Sequence, residues 1–118
     1  MIAHIILFKP RPGLAAAERG AVLHTLTNAS RDIPGIRSFR VGKRVRHGLP
    51  GYEQMMPEDF EFLVIIEVDN LEALKAYLTH PSHAAFGAHF TQSSAAALAY
   101  DYEVVDVAEA MTLVAGQL

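Results

Sequence analysis

The chain has 118 residues, 51% of them hydrophobic, with ten lysines and arginines against thirteen aspartates and glutamates, for a formal charge of −3. That length suits one domain with a core of its own, and that balance supplies no basic field for nucleic acid or an anionic membrane. The absence of cysteine excludes a disulfide framework, a thiolate nucleophile and a thiolate metal site.

Ala3 to Lys9 (AHIILFK) reads as a strand, because β-branched and aromatic residues run together until the turn-forming segment Pro10 to Gly13. Strand alternation sends His4, Ile6 and Phe8 to one face and Ile5 and Leu7 to the other. The apolar run Ile5–Phe8 is too short for a signal-peptide core or a membrane span, so a soluble, cytoplasmic protein is expected. Leu14 to Asp32 turns helical, with Val22, Leu26 and Ala29 recurring near the 3.6-residue period. Ile33-Pro34-Gly35 then breaks the helix.

Ile36 to Val45 reads as a second strand, with Phe39, Val41 and Val45 on one face and Ser38, Arg40 and Arg44 on the other. Its basic cluster, Arg37, Arg40, Lys43, Arg44 and Arg46, suits a solvated edge, which discourages unwanted strand pairing. The same cluster suits the mouth of a pocket for a carboxylate-bearing ligand. Residues 46–59 form a long loop whose Met55-Met56 pair is suited to an adaptable lid.

The strongest strand signal is Phe60 to Val68, with Phe60, Phe62, Val64, Ile66 and Val68 on one face and Leu63 and Ile65 on the other. Asp69 is the expected N-cap of the next helix, with Glu72 in the capping-box position. Leu71, Leu74 and Leu78 are its expected buried stripe, with Tyr77 beside them. After Pro81 a mostly helical segment to about Leu98 is expected, then a last strand over Ala99 to Val107. Ala108 to Leu118 is a tail that either docks as a short helix or frays.

The stretch LKAYLTHPSHAAF, Leu74 to Phe86, gathers Tyr77, His80 and His83 around one proline. A proline ends one helix and suits the first position of the next. The chemistry offered there is proton transfer near neutral pH, by imidazole and phenol. The competing reading makes the histidines caps or surface residues and Tyr77 a core aromatic. His80 and His83 are also an HxxH pair, with His47 and His89 elsewhere in the chain, but the pair straddles a helix break and has no carboxylate at helical spacing. No metal and no cofactor are expected, and no glycine-rich phosphate loop is present.

The order βαβ followed by βα(α)β is that of an α+β, ferredoxin-like βαββαβ sandwich. Its helices cover one sheet face only, yet the first and third strands are apolar on both. An exposed apolar face of that extent predicts a two-fold homodimer packed sheet to sheet, a dimeric α/β barrel.

Together, HIILFK, IPGIRSFRVGK, LKAYLTHPSHAAF and YDYEV resemble the stress-responsive α/β-barrel (Dabb) domain family over roughly Ala3 to Val107, with HPSH the most specific part. The resemblance implies a Dabb domain over 1–107, the tail over 108–118, and the same dimeric barrel. One plant member is a cofactor-free polyketide cyclase that carries out an aldol condensation, and three of its residues match His4, Tyr77 and His83. By that resemblance His83 is the general base and acid, Tyr77 holds it or the substrate carbonyl, and His4 lines the pocket. Phe8, Phe62, His80 and Phe86 are the expected pocket wall, although Phe62 stands where the plant cyclase has a further histidine. The expected ligand is small and hydrophobic or carboxylate-bearing. The competing functions are a non-catalytic small-molecule binder or stress-related oligomer, and a cofactor-independent oxygenase.

Overall fold

The computed structural model describes residues 1–115. Four strands, β1 (Ile2–Pro10), β2 (Ile36–Lys43), β3 (Phe62–Val68) and β4 (Ser94–Glu103), form one antiparallel sheet in the order β2-β3-β1-β4. Three helices, α1 (Ala16–Asp32), α2 (Leu71–Thr79) and α3 (Pro81–Ser93), pack on one face of it. This is the ferredoxin-like α+β fold.

The central strands show why the alternation matters. Ile6 and Phe8 of β1 and Val64, Ile66 and Val68 of β3 are buried against Val22, Leu26 and Ala29 of α1, Leu74 and Tyr77 of α2, and Phe86 of α3. Each such side chain contributes roughly 1.5–3 kcal/mol by leaving water. On the other face Ile5, Leu7, Leu63 and Ile65 are only half-buried, and Leu98, Tyr100 and Tyr102 are exposed. The described residues span 48 × 43 × 19 Å, a slab one sheet and one helix layer thick.

The chain turns where its backbone demands it. The N–H of Ile33 closes α1 on the carbonyl of Ala29, at 3.1 Å, and Gly35 follows with a φ of +84°, a conformation that penalises any residue with a Cβ. The pairing of β1 with β4 shifts register between Lys9 and Pro10, where the proline has no N–H to give the ladder.

Several boundaries differ from the sequence expectations, each for a local reason. The cap of α2 is Asn70, whose side-chain oxygen accepts the N–H of Ala73 at 2.9 Å, while Asp69 takes the guanidinium of Arg37 at 2.5 Å. Leu74 and Tyr77 form the buried stripe, three residues apart on one helix face, whereas Leu71 and Leu78 face solvent. The last strand begins at Ser94, within the segment expected to be helical to Leu98. Cross-strand partners for Ala96, Ala97 and Leu98 on β1 override the helical preference of alanine. It ends at Glu103 rather than Val107, β2 ends at Lys43 rather than Val45, and β3 begins at Phe62 rather than Phe60. The tail contains a 3-10 helix over Val107–Leu113, and residues 116–118 lie outside the described residues.

The basic cluster lies on β2, an edge strand, and on the segment just after it, which carries Arg44 and Arg46. Arg37, Arg40, Arg44 and Arg46 each have an acidic partner within the chain, namely Asp69, Glu67, Asp59 and again Asp59. Such exposed pairs are screened by water and add little to stability. A 3-10 turn over Glu53–Met55 interrupts the long loop, and Met55 and Met56 are exposed. Among the described residues no helix is long and apolar enough to cross a membrane.

Candidate active site

The break at Pro81 builds the site. The residue before a proline is driven out of helical conformation, and His80 accordingly has φ −71° and ψ 141°. Its ring Nδ1 accepts the N–H of Ser82 at 3.1 Å, so His80 is the N-cap of α3 and Pro81 its first residue. That start places His83 in the first turn of α3, against Tyr77 in the last turn of α2.

Three rings meet beneath the helices. The Tyr77 and His83 ring centroids lie 4.8 Å apart, those of His4 and Tyr77 5.4 Å, and those of His4 and His83 6.5 Å. Tyr77 is 0% exposed and His4 5%, while His83 is half-buried. Among the described residues the Tyr77 hydroxyl oxygen is buried without a hydrogen-bond partner. Leaving a buried hydroxyl unpaired costs about 1–3 kcal/mol, so such a group calls for an explanation, and function is one.

His4 is held by a residue absent from the sequence expectations. Its Nδ1 lies 2.5 Å from Oδ1 of Asp101, directly across the β1–β4 ladder. An ionised carboxylate only accepts hydrogen bonds, so Nδ1 is the protonated nitrogen and Nε2 is left to exchange protons. Strand alternation over Ala99 to Val107 puts Asp101 on one face with Ala99 and Glu103. What joined it to His4 was the strand register, which no short motif specifies.

The electrostatics divide the roles. Burial, followed by the neighbouring His4, pushes His83 below the ordinary histidine value of 6.5, against a backbone hydrogen bond to Leu78 that raises it. A neutral imidazole, a base, therefore dominates at pH 7. Burial, followed by the charge of Asp101, pushes Tyr77 well above the ordinary phenol value. Its phenol stays protonated, a donor for a developing oxyanion.

The phenylalanines form a second cluster beside the first. Phe8 stacks on Phe62 at 5.3 Å and meets Phe90 edge-on at 5.1 Å, and Phe90 lies 5.6 Å from Phe86. His83, Phe86 and Phe90 recur at helical spacing, so α3 carries one stripe from the imidazole to the aromatics. Phe8, Phe62 and Phe90, with Leu14, Val22 and Val41, line an apolar cleft of ≈ 70 Å³. None of His4, Tyr77, His80, His83 or Phe86 lines that cleft. Among the described residues no three histidines, aspartates or glutamates are grouped to hold a metal ion.

A four-stranded antiparallel sheet with helices on one face, and a histidine–tyrosine cluster beneath them, defines a small α+β domain of ferredoxin-like fold. The chain belongs to the stress-responsive A/B barrel domain (Dabb) family, whose profile matches residues 2–104. It is similar to olivetolic acid cyclase of Cannabis sativa, with 23% identity over 101 residues that span 86% of this chain and 94% of the cyclase. Among solved structures it is similar to a dimeric ferredoxin-like protein of unknown function from Bacteroides fragilis, at 30% identity and TM-score 0.62, covering 87% of this chain and 95% of that one. The hydroxynitrile lyase of Passiflora edulis shares the fold, at TM-score 0.77 and 10% identity over 90% of this chain and 94% of the lyase.

Proposed function

We propose that this protein is a homodimeric, cofactor-free acid–base catalyst of the cyclase or lyase type, acting in the cytoplasm on a small hydrophobic or carboxylate-bearing carbonyl compound. The observation that carries the reading is the protonated phenol of Tyr77, without a hydrogen-bond partner among the described residues and buried 4.8 Å, ring to ring, from a His83 held below the ordinary histidine value. In the reaction His83 takes a proton from the carbon alpha to a carbonyl, and the electron pair of that C–H bond moves into the enolate. The Tyr77 hydroxyl donates to the enolate oxygen as its charge develops. The enolate carbon then attacks a second carbonyl of the substrate, and the His83 imidazolium returns its proton to the new alkoxide. His4, oriented by Asp101, lines the substrate's path, with Phe8, Phe62, His80 and Phe86 as the wall beyond. Positioned acid–base groups of this kind contribute about 10²–10⁴-fold each.

The domain proper runs over 1–107 in this reading, with 108–118 as an appended tail. The homodimer is supported by the half-exposed apolar outer face of the sheet and by dimeric relatives of the same fold. Similarity to a cyclase, and a fold shared with a lyase, support the reaction class.

One observation favours a second reading. The apolar cleft at Phe8, Phe62 and Phe90 excludes the trio, which suits a protein that binds a hydrophobic molecule without transforming it. Deuterium exchange separates the two. Short β-keto acids and methyl ketones in deuterated buffer are followed by proton NMR, and the catalyst accelerates loss of the alpha-proton signal, an effect that His83→Ala and Tyr77→Phe remove. Saturable ligand binding with no accelerated exchange leaves the binder as the function.

A further inference from the structure

The cleft at Phe8, Phe62 and Phe90 is apolar at one end and polar at the other. Three elements step from the first end to the second: β1 from Phe8 to Pro10, α3 from Phe90 to Ser93, and α1 back one turn from Val22 to Arg19. Ser94 stands opposite Pro10 on β4. Hydrogen bonds hold the polar end together. The N–H of Arg11 donates to the Ser93 carbonyl at 2.8 Å and the N–H of Leu14 to the Arg11 carbonyl at 3.3 Å, while Nε of Arg19 reaches the Leu14 carbonyl at 3.4 Å.

Two groups at that end lack the partners their chemistry asks for. Among the described residues the Ser94 hydroxyl oxygen is buried without a hydrogen-bond partner, which calls for an explanation. Arg19 is the one charged side chain that lines the cleft, and no aspartate or glutamate lines it. Among the described residues no acid pairs with Arg19, whereas Lys9, Arg37, Arg40, Arg44 and Arg46 each reach one. A free guanidinium fork beside a hydroxyl donor suits a planar oxyanion, and carboxylate is the anion that also carries an apolar chain. Size limits that chain. The cleft holds ≈ 70 Å³, far below the roughly 300–1,000 Å³ of pockets for drug-sized ligands. Phe8 lies four residues along β1 from His4, about 13 Å at the strand rise, so a short occupant stays clear of the ring trio.

We infer that the cleft is a second site, which takes a short-chain monocarboxylate with its head on Arg19 and the Ser94 hydroxyl and its alkyl chain against Phe8, Phe62 and Phe90. It gives the binding reading above a ligand class, rests on that cleft alone, and stands whether or not the trio turns a substrate over. Its lining belongs to the helix side of the sheet, so it is independent of whatever covers the outer face.

NMR titration of the full chain with hexanoate, and with hexanol as a neutral match, tests it. Hexanoate is expected to shift the amide signals of Leu23, Phe90, Ser93 and Ser94 saturably, and hexanol the same signals with roughly ten- to hundredfold weaker affinity, the worth of hydrogen bonds to a charged group. Arg19→Gln, an exposed position, should bring hexanoate down to the affinity of hexanol and leave hexanol unchanged. Leu23→Trp, which fills the mouth from a half-exposed position, should abolish both. His83→Ala should leave hexanoate affinity unchanged, so this site and the reaction at the trio fail separately. Equal affinity for hexanoate and hexanol, or hexanoate binding indifferent to Arg19→Gln, overturns the head site. No saturable shift, or shifts centred on His4, Tyr77 and His83, overturns the cleft as the carboxylate's seat.

Discussion

The two faces of one sheet are built from the same strands and do opposite work. On the inner face β1 presents His4, Ile6 and Phe8, all buried, and the polar member is matched by Asp101 across the ladder. On the outer face the same strand presents Ile5 and Leu7, half-buried beside the exposed Tyr100 and Tyr102. The inner face carries a histidine within an apolar layer, and the outer face carries apolar groups toward water. A chain that places its polar atoms inside and its apolar atoms outside departs from simple patterning twice, and such departures gather where function lies. In the function proposed above, the first makes a site within one copy and the second a surface for another.

The contrast is sharpest at neighbouring residues. Ile66 is fully buried on the inner face, so Ile66→Ala is expected to cost about 2–5 kcal/mol in urea unfolding. Ile65→Ala, one residue away on the outer face, should cost the isolated chain about 1 kcal/mol or less and act on dimer dissociation instead. Equal losses at both positions would break the distinction. In catalysis, His83→Ala and Tyr77→Phe are each expected to lower turnover about 10²–10⁴-fold, while Tyr100→Glu, on the outer face, should raise the dimer dissociation constant and leave the ring trio intact.

Asp101→Asn removes charge while keeping shape. It should reduce turnover by roughly tenfold, through a His4 no longer fixed in one tautomer, as hydrogen bonds to charged groups contribute about 1.5–3 kcal/mol. A pH–rate profile identical to that of the wild type would make Asp101 a purely structural partner. The smallest effect is in stability against pH. His83 is lowered in the folded state, so the unfolded chain binds more protons between that lowered value and about 6.5. Stability is therefore complete above about pH 6.5 and falls on acidification through that window, a slope that His83→Gln should flatten in thermal melts. Tyr77 is raised in the folded state, so its contribution is complete below about pH 10 and declines above it.

Much of this was legible in the chain itself. Alternation in β1 and β3 gave both faces, and Pro81 gave the junction that brings Tyr77 to His83, because both signals are local. Asp101 and Phe90 were not legible as partners of His4 and Phe8, since those contacts depend on strand register and helix rotation. The start of β4 escaped for the complementary reason: Ala95, Ala96 and Ala97 favour a helix by themselves, and only pairing with β1 makes them a strand. Asp69 and Asn70 are both competent caps; Asn70 caps the helix while Asp69 accepts from Arg37, on a strand distant in sequence.

The central claim is that Tyr77 and His83 are one coupled proton-transfer unit. NMR titration of the histidine ring carbons, in the wild type and in Tyr77→Phe, tests it most directly. A His83 that titrates below the ordinary value near 6.5, and that moves when the hydroxyl is removed, is the predicted result. A His83 that titrates like a solvated imidazole in both proteins would contradict the claim and reduce the HPSH stretch to a structural bend.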